Sequence, residues 1–221
     1  MVRERIKSDK SIVGKSLLSY FNPYCEISEQ YRMIRNNILY ASKGSEVKTL
    51  LIASPAKGDG RTTATINLAI CMAQRGERVL IIDANLRNPV LHKAFNIKAS
   101  PGLSNVLSQQ LSPSDTIYRT DIEGMHILPS GQRLLNSTDL FDSAAMRDLI
   151  KFASSHYDRV LIDTPPVLGL SDTLSLASLC DGVIMLLKNG KSNQEQALKV
   201  QSALLFASAN VLGVILNNKS G

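Results

Sequence analysis

Residues 54–63 read SPAKGDGRTT, between an apolar run over 47–53 (VKTLLIA) and a helix-like stretch over 62–75. A strand, a glycine-bearing loop and a helix in that order make the setting of a phosphate-binding P-loop. Glycines let backbone N–H groups close on phosphate oxygens, and the helix N-terminus adds a favourable dipole. Gly58 and Gly60 permit that approach, Thr62 offers a hydroxyl suited to Mg²⁺, and Thr63 one suited to phosphate. Two positions depart from the usual loop: Arg61 stands where a lysine is expected and Pro55 where the leading glycine is. Arginine keeps the charge but carries it on a bulkier planar fork, so the exchange is not neutral.

Beyond the loop, further apolar runs alternate with helical stretches. Strands are expected over 79–83 (VLIID), 126–129, 159–163 (RVLID), 182–187 and 211–216, and helices over 26–41, 140–155, 172–179 and 193–208. Continuous apolar strands separated by helices predict an α/β fold: a doubly wound, mostly parallel sheet with helices on both faces, of the P-loop NTPase type. Ligands of such sheets bind beyond the carboxyl ends of the strands.

The 221 residues suit one domain of this class, and an apolar fraction of 44% with 20% charged residues is ordinary for a globular protein. The net charge is +6, and Arg3, Arg5, Lys7, Lys10 and Lys15 crowd the start. Residues 1–25 therefore read as a flexible N-terminal arm ahead of a nucleotide-binding domain over 26–221. A solvated arm is the simplest reading; an anionic membrane face, a nucleic acid or an acidic partner are alternatives. With no Trp and 5% aromatics, nucleic-acid binding by stacking is not expected. Cys25, Cys71 and Cys180 lack metal spacing and predict reduced thiols, Cys71 and Cys180 in the core. The longest apolar runs are strand-sized, so any membrane location is expected to come through a partner.

Two more motifs fall at strand ends. In IIDANLRNP (81–89), Asp83 can hold Mg²⁺ or its water shell, since hard cations want oxygen ligands. Asn85 and Arg87 fall on one side if the chain stays extended, with Arg87 pairing with Asp83 or reaching a phosphate. In VLIDTPP (160–166), four apolar positions before Asp163 make a Walker-B-like element that would sit beside the P-loop if the two strands are neighbours.

SPAKGDGRTT, IIDANLRNP, GLSNVL (102–107), ILPSG (127–131), VLIDTPP and GVILNN (213–218), in that order, resemble the bacterial tyrosine kinases of capsule and exopolysaccharide synthesis, P-loop ATPases related to Min/Par ATPases. The resemblance covers about residues 24–218 and implies Walker A, A′ and B motifs around Mg²⁺ and ATP or ADP. Carried onto this chain, Gly58, Asp59, Gly60, Arg61, Thr62, Thr63 and, near the base, Asn217 hold nucleotide. Thr62, Asp83 and Asp163 hold metal, while Asp83, Arg61 and Arg87 act in phosphoryl transfer to tyrosine. The resemblance also implies an E-x-x-R-x-x-R helix for assembly into a homo-oligomeric ring, here Glu29, Arg32 and Arg35. It further implies tyrosine substrates on proteins, a membrane chain-length regulator whose cytoplasmic tail activates the kinase, and a cytoplasmic place at the inner face of the membrane through that partner.

Three departures bear on function. Arg61 replaces the Walker A lysine, Asn85 replaces the second Walker A′ aspartate, and no tyrosine follows Tyr157. A kinase, a nucleotide-dependent switch without kinase turnover, and a Min/Par-type ATPase stand as readings in that order. The last expects a signature lysine where this chain has Ala56.

Overall fold

A computed structural model describes residues 16–41, 44, 46–134 and 138–218. In chain order its elements are α1 (Leu18–Phe21), α2 (Glu26–Ala41), β1 (Thr49–Ala53), α3 (Arg61–Ala73), β2 (Val79–Asp83), α4 (Leu91–Ala94), α5 (Leu103–Leu107) and α6 (Pro113–Thr116). They continue with β3 (Tyr118–Arg119), β4 (Met125–Leu128), α7 (Thr138–Phe141), α8 (Ala144–His156), β5 (Arg159–Asp163), α9 (Asp172–Ala177), β6 (Gly182–Lys188), α10 (Gln194–Phe206) and β7 (Val211–Asn217).

Branched apolar side chains build a seven-stranded sheet in the order β3-β4-β2-β5-β1-β6-β7, every pair parallel except β3 with β4. Each strand of the centre is apolar at consecutive positions because both of its faces are covered. Leu50, Ile52, Ile81 and Leu161 point to the layer of α2 and α3, against Ile38, Ile66 and Ile70. Leu51, Leu80, Ile82, Val160 and Ile162 point to the opposite layer, against Leu149 of α8, Leu176 of α9 and Leu204 of α10. Helix α8 starts where Ser143 accepts from the Met146 N–H (3.2 Å), and α10 where the Asn193 side chain accepts from the Gln196 N–H (2.8 Å).

The expected α/β architecture is present, with element ends shifted by a few residues and the helix expected over 140–155 broken at residues 142–143, where Ser143 caps α8. The periodicity misses β3 and the short helices α4 to α6, pieces too brief to repeat a pattern. GLSNVL and ILPSG turn out to be one packing unit. Leu103 N–H donates to Pro129 O (2.7 Å) and Ser104 N–H to Ser130 O (2.9 Å), and a Cβ on Gly102 would lie 2.2 Å from Pro129 O.

Of the arm expected over 1–25, residues 16–25 are structured instead; the rest lies outside the described residues. Leu17 and Ser19 are buried. Ser19 N–H donates to Asn67 Oδ1 (2.8 Å) and Asn67 Nδ2 to Ser16 O (2.9 Å), docking α1 onto α3. Among the described residues no helix is long and apolar enough to cross a membrane.

Candidate nucleotide site

The strand order places β1, β5 and β2 side by side, so the segments following Ala53, Asp83 and Asp163 meet at one edge of the sheet. Between β1 and α3 the chain turns through Gly58 (φ +80°) and Gly60 (φ +106°), left-handed conformations that glycine adopts without strain. Three successive carbonyls of this loop are drawn to one side. Lys57 O accepts from Lys191 Nζ, Gly58 O from Lys188 Nζ (3.2 Å) and Asp59 O from Asn217 Nδ2 (2.7 Å). The N–H groups of Gly58, Asp59 and Gly60 donate to no described group. Carbonyls turned one way and unused N–H groups left over are the makings of an anion nest.

Two charged residues of the loop serve its shape. Asp59 is fully buried; its Oδ2 accepts from the Ala56 N–H (2.7 Å) and its Oδ1 lies 3.2 Å from Lys191 Nζ. Arg61 is 7% exposed. Its Nε donates to Thr164 O (3.0 Å), and its Nη1 to Ala56 O (3.0 Å) and to Ser54 Oγ. Burial lowers the Arg61 pKa, and the charges of Asp163 and Asp59 oppose that shift. The arginine thus spends two of its three nitrogens bracing the loop to the segment after β5, a geometry lysine cannot reproduce.

Asp83 and Asp163 are register partners in the parallel pair β2 and β5, and both are fully buried. Asp83 Oδ1 accepts from the Asn85 N–H (3.1 Å) and Oδ2 from the Leu91 N–H (3.3 Å). Asp163 Oδ2 accepts from Thr62 Oγ1 (2.6 Å), while its Oδ1 has no hydrogen-bond partner. Burial, first, and the Asp163 charge, second, push the Asp83 pKa well up. Burial also lifts Asp163, against the pull of the Thr62 hydroxyl and Arg61. Two crowded carboxyls, one buried oxygen without a partner and an adjacent threonine hydroxyl form a hard-oxygen donor set that fits Mg²⁺ completed by phosphate and water.

A cleft of about 710 Å³ opens over these groups, lined by Gly58, Gly60, Thr62, Thr63, Asn85 and Arg87 among others. The chain does not stay extended after Asp83: Asn85 Oδ1 accepts from the Asn88 N–H (3.2 Å), turning the segment. Arg87 consequently pairs with neither Asp83 nor the P-loop. Its Nε donates to Asp172 Oδ2 (3.1 Å), a carboxylate 1% exposed at the start of α9.

Glu29, Arg32 and Arg35 lie away from the cleft. Arg35 Nη1 donates to Cys71 O (2.7 Å), near the end of α3 opposite the P-loop. Arg32 bonds both Glu29 and Pro23 O. Both arginines therefore bind their own chain, whereas the Glu29 side chain stays 58% exposed. Sequence reasoning passed over Lys188, Lys191 and Asp172. The KNGK run over 188–191 carried a signal, since it also follows a strand pointing at the same edge.

Comparison with known proteins identifies the family. Residues 47–200 match the family model described as AAA domain. The chain is 36% identical to tyrosine-protein kinase YwqD of Bacillus subtilis, over 96% of this chain and 90% of that protein. The chain belongs to the bacterial tyrosine-protein kinases. The kinase domain of Escherichia coli tyrosine kinase ETK superposes on this family member with a TM-score of 0.88 at 28% identity, covering 93% of this chain and 81% of that one. The septum site-determining protein MinD of Pyrococcus horikoshii, complexed with Mg-ADP, shares the fold at lower likeness: TM-score 0.68 and 28% identity, over 78% and 71% of the two chains. The chain thus has the fold of P-loop proteins whose relatives bind nucleotide.

Proposed function

We propose that the chain transfers the γ-phosphoryl group of Mg·ATP to tyrosine hydroxyls of proteins in polysaccharide synthesis and export. The observation that supports it best is the Asp83–Asp163 pair beside the P-loop, with a buried Asp163 oxygen left without a partner. The N–H groups of Gly58, Asp59 and Gly60, with Thr63, cradle the phosphates. Thr62, Asp163 and Asp83 hold Mg²⁺, which when bound neutralises charge on the β- and γ-phosphate oxygens. Asn217 already stands on Gly60 and borders the place of the base.

Asp83 orients the tyrosine hydroxyl and takes its proton. Arg87, held by Asp172, sets a cation in the cleft wall where charge grows on the transferring group. Arg61 holds the loop in shape from beneath.

The family resemblance supports the surroundings of this reaction: a ring joined through α2 and Glu29, and a membrane chain-length regulator that recruits the chain to the inner face of the membrane. A second reading, a nucleotide switch without turnover, is favoured by two observations: the Arg61 fork is engaged with the loop, and Asn85 brings no charge. Incubation with γ-labelled ATP, Mg²⁺ and the regulator's tail separates the two. Label in phosphotyrosine supports the kinase. ATP bound with label recovered only in ATP or free phosphate supports the switch.

A further inference from the structure

We infer that the cleft selects acceptor tyrosines lying in acidic segments. The inference rests on the kinase reading above and concerns the end of the cleft that nucleotide does not need. Val90, Pro165, Pro166 and Leu170 line the cleft beyond Asp83 and Asp163 and offer an apolar seat to an aromatic ring. Val90 is 42% exposed, so its side chain is open to a partner. Lys93 and Arg133 line the same cleft.

Neither cation has a carboxylate partner among the described residues, and no carboxylate lines the cleft surface among them. Among the described residues, Arg133 hydrogen-bonds Asn88 Oδ1, at 3.5 Å. The position of Arg133 argues against service to the nucleotide. Arg133 follows β4, three strands from β1 in the order β4-β2-β5-β1. At about 4.8 Å per strand, that is roughly 14 Å across the sheet from the P-loop strand. The phosphates already have the loop N–H groups, and the metal has its carboxyls. Two unpaired cations on the rim of an apolar seat face whatever segment carries the tyrosine, and carboxylates at its flanks would answer them. Such rim charges act on encounter and selection more than on tight holding.

The test uses the full chain saturated with Mg²⁺ and a non-hydrolysable ATP analogue at low ionic strength. Three fluorescein-labelled peptides of one length place a single tyrosine among glutamates, among serines, or among lysines, and anisotropy reads their affinity. The acidic peptide is expected to bind about five-fold or more tighter than the serine peptide, and the lysine peptide weakest. Lys93→Glu with Arg133→Glu should reverse that order without changing analogue affinity. As both side chains are exposed, the fold should hold, and circular dichroism checks it. Independently of any variant, the preference of the natural chain should shrink as salt rises. Equal affinity for all three peptides, or an order untouched by the charge reversal and by salt, would overturn the inference. Phosphorylation of the serine-flanked peptide by ATP is followed in parallel. If it fails while the affinity order holds, the kinase reading falls and acidic selection stands.

Discussion

Asp83 and Asp163 stand level with each other on neighbouring parallel strands, buried together with no cation between them but the indirect reach of Arg61 from the loop below. Each therefore holds its proton more tightly in the folded chain than in the unfolded one. The sign of the stability effect follows. A raised folded-state pKa contributes stability that is fully present below the unfolded carboxylate value, about 4. It is lost as pH rises through the folded values.

Asp163→Asn removes one charge and keeps an acceptor for the Thr62 hydroxyl. Without metal, it should raise Tm near neutral pH by roughly 2–4 °C, the equivalent of about 1 kcal/mol in a domain of this size. The gain should vanish toward pH 4. The same variant should bind Mg·ATP about ten-fold or more weakly. Thermal scans from pH 4 to 8, with and without Mg²⁺, check both. A variant no more stable than the natural chain at neutral pH would show that the pair is not repulsive.

Lys191 gives the buried Asp59 carboxylate its cation and holds the Lys57 carbonyl. Lys191→Ala should loosen the loop and weaken Mg·ATP binding about ten-fold, because an unpaired buried charge is costly. Adding Asp59→Asn should recover part of that loss, a coupling of about 0.5 kcal/mol or more in a double-mutant cycle. Additive effects measured by calorimetry would mean that the two side chains act separately.

How far the sequence spoke depends on what kind of pattern carries the message. β1, β2 and β5 are read as consecutive apolar runs because both faces of a central strand are covered. The Asp that ends each of β2 and β5 follows from that placement. Residue direction is another matter. Spacing put Arg87 beside Asp83, but Asn85 bonds the Asn88 N–H and turns the chain, and Arg87 finds Asp172, 85 residues later. Arg35 was assigned by resemblance to a neighbouring subunit, yet it satisfies the Cys71 carbonyl of its own chain. The lysines over the P-loop, Lys188 and Lys191, come from a turn more than 120 residues downstream, and no local periodicity announces such long-range closure.

Arg61→Lys tests the brace directly. Lysine would leave Thr164 O and Ala56 O without their donor, at about 1–3 kcal/mol, so Tm should fall by several degrees. It would also free a compact ammonium for the phosphates. Combined with Asn85→Asp, which restores a second carboxylate, it should raise phosphoryl transfer by roughly 10²–10³. If quench-flow shows the natural chain already as fast as the double variant, these two residues do not limit it.

Of Glu29, Arg32 and Arg35, Glu29 is the exposed one, while Arg32 is tied to Pro23 and Arg35 to Cys71. In a head-to-tail ring, Glu29→Lys should abolish assembly while leaving the fold and nucleotide affinity intact. Sedimentation across nucleotide states checks it. Natural protein that stays monomeric in every state would remove the ring.

The convergence of the P-loop, Asp83 and Asp163 into one Mg·nucleotide site is tested most directly by calorimetry with ATP and Mg²⁺. One nucleotide should bind per chain, with affinity lost when the metal is chelated and lost again in Gly60→Ala, whose Cβ would meet Asn217 Nδ2 at 2.4 Å. Absence of binding at millimolar Mg·ATP, or binding indifferent to the metal and to Gly60, would contradict it.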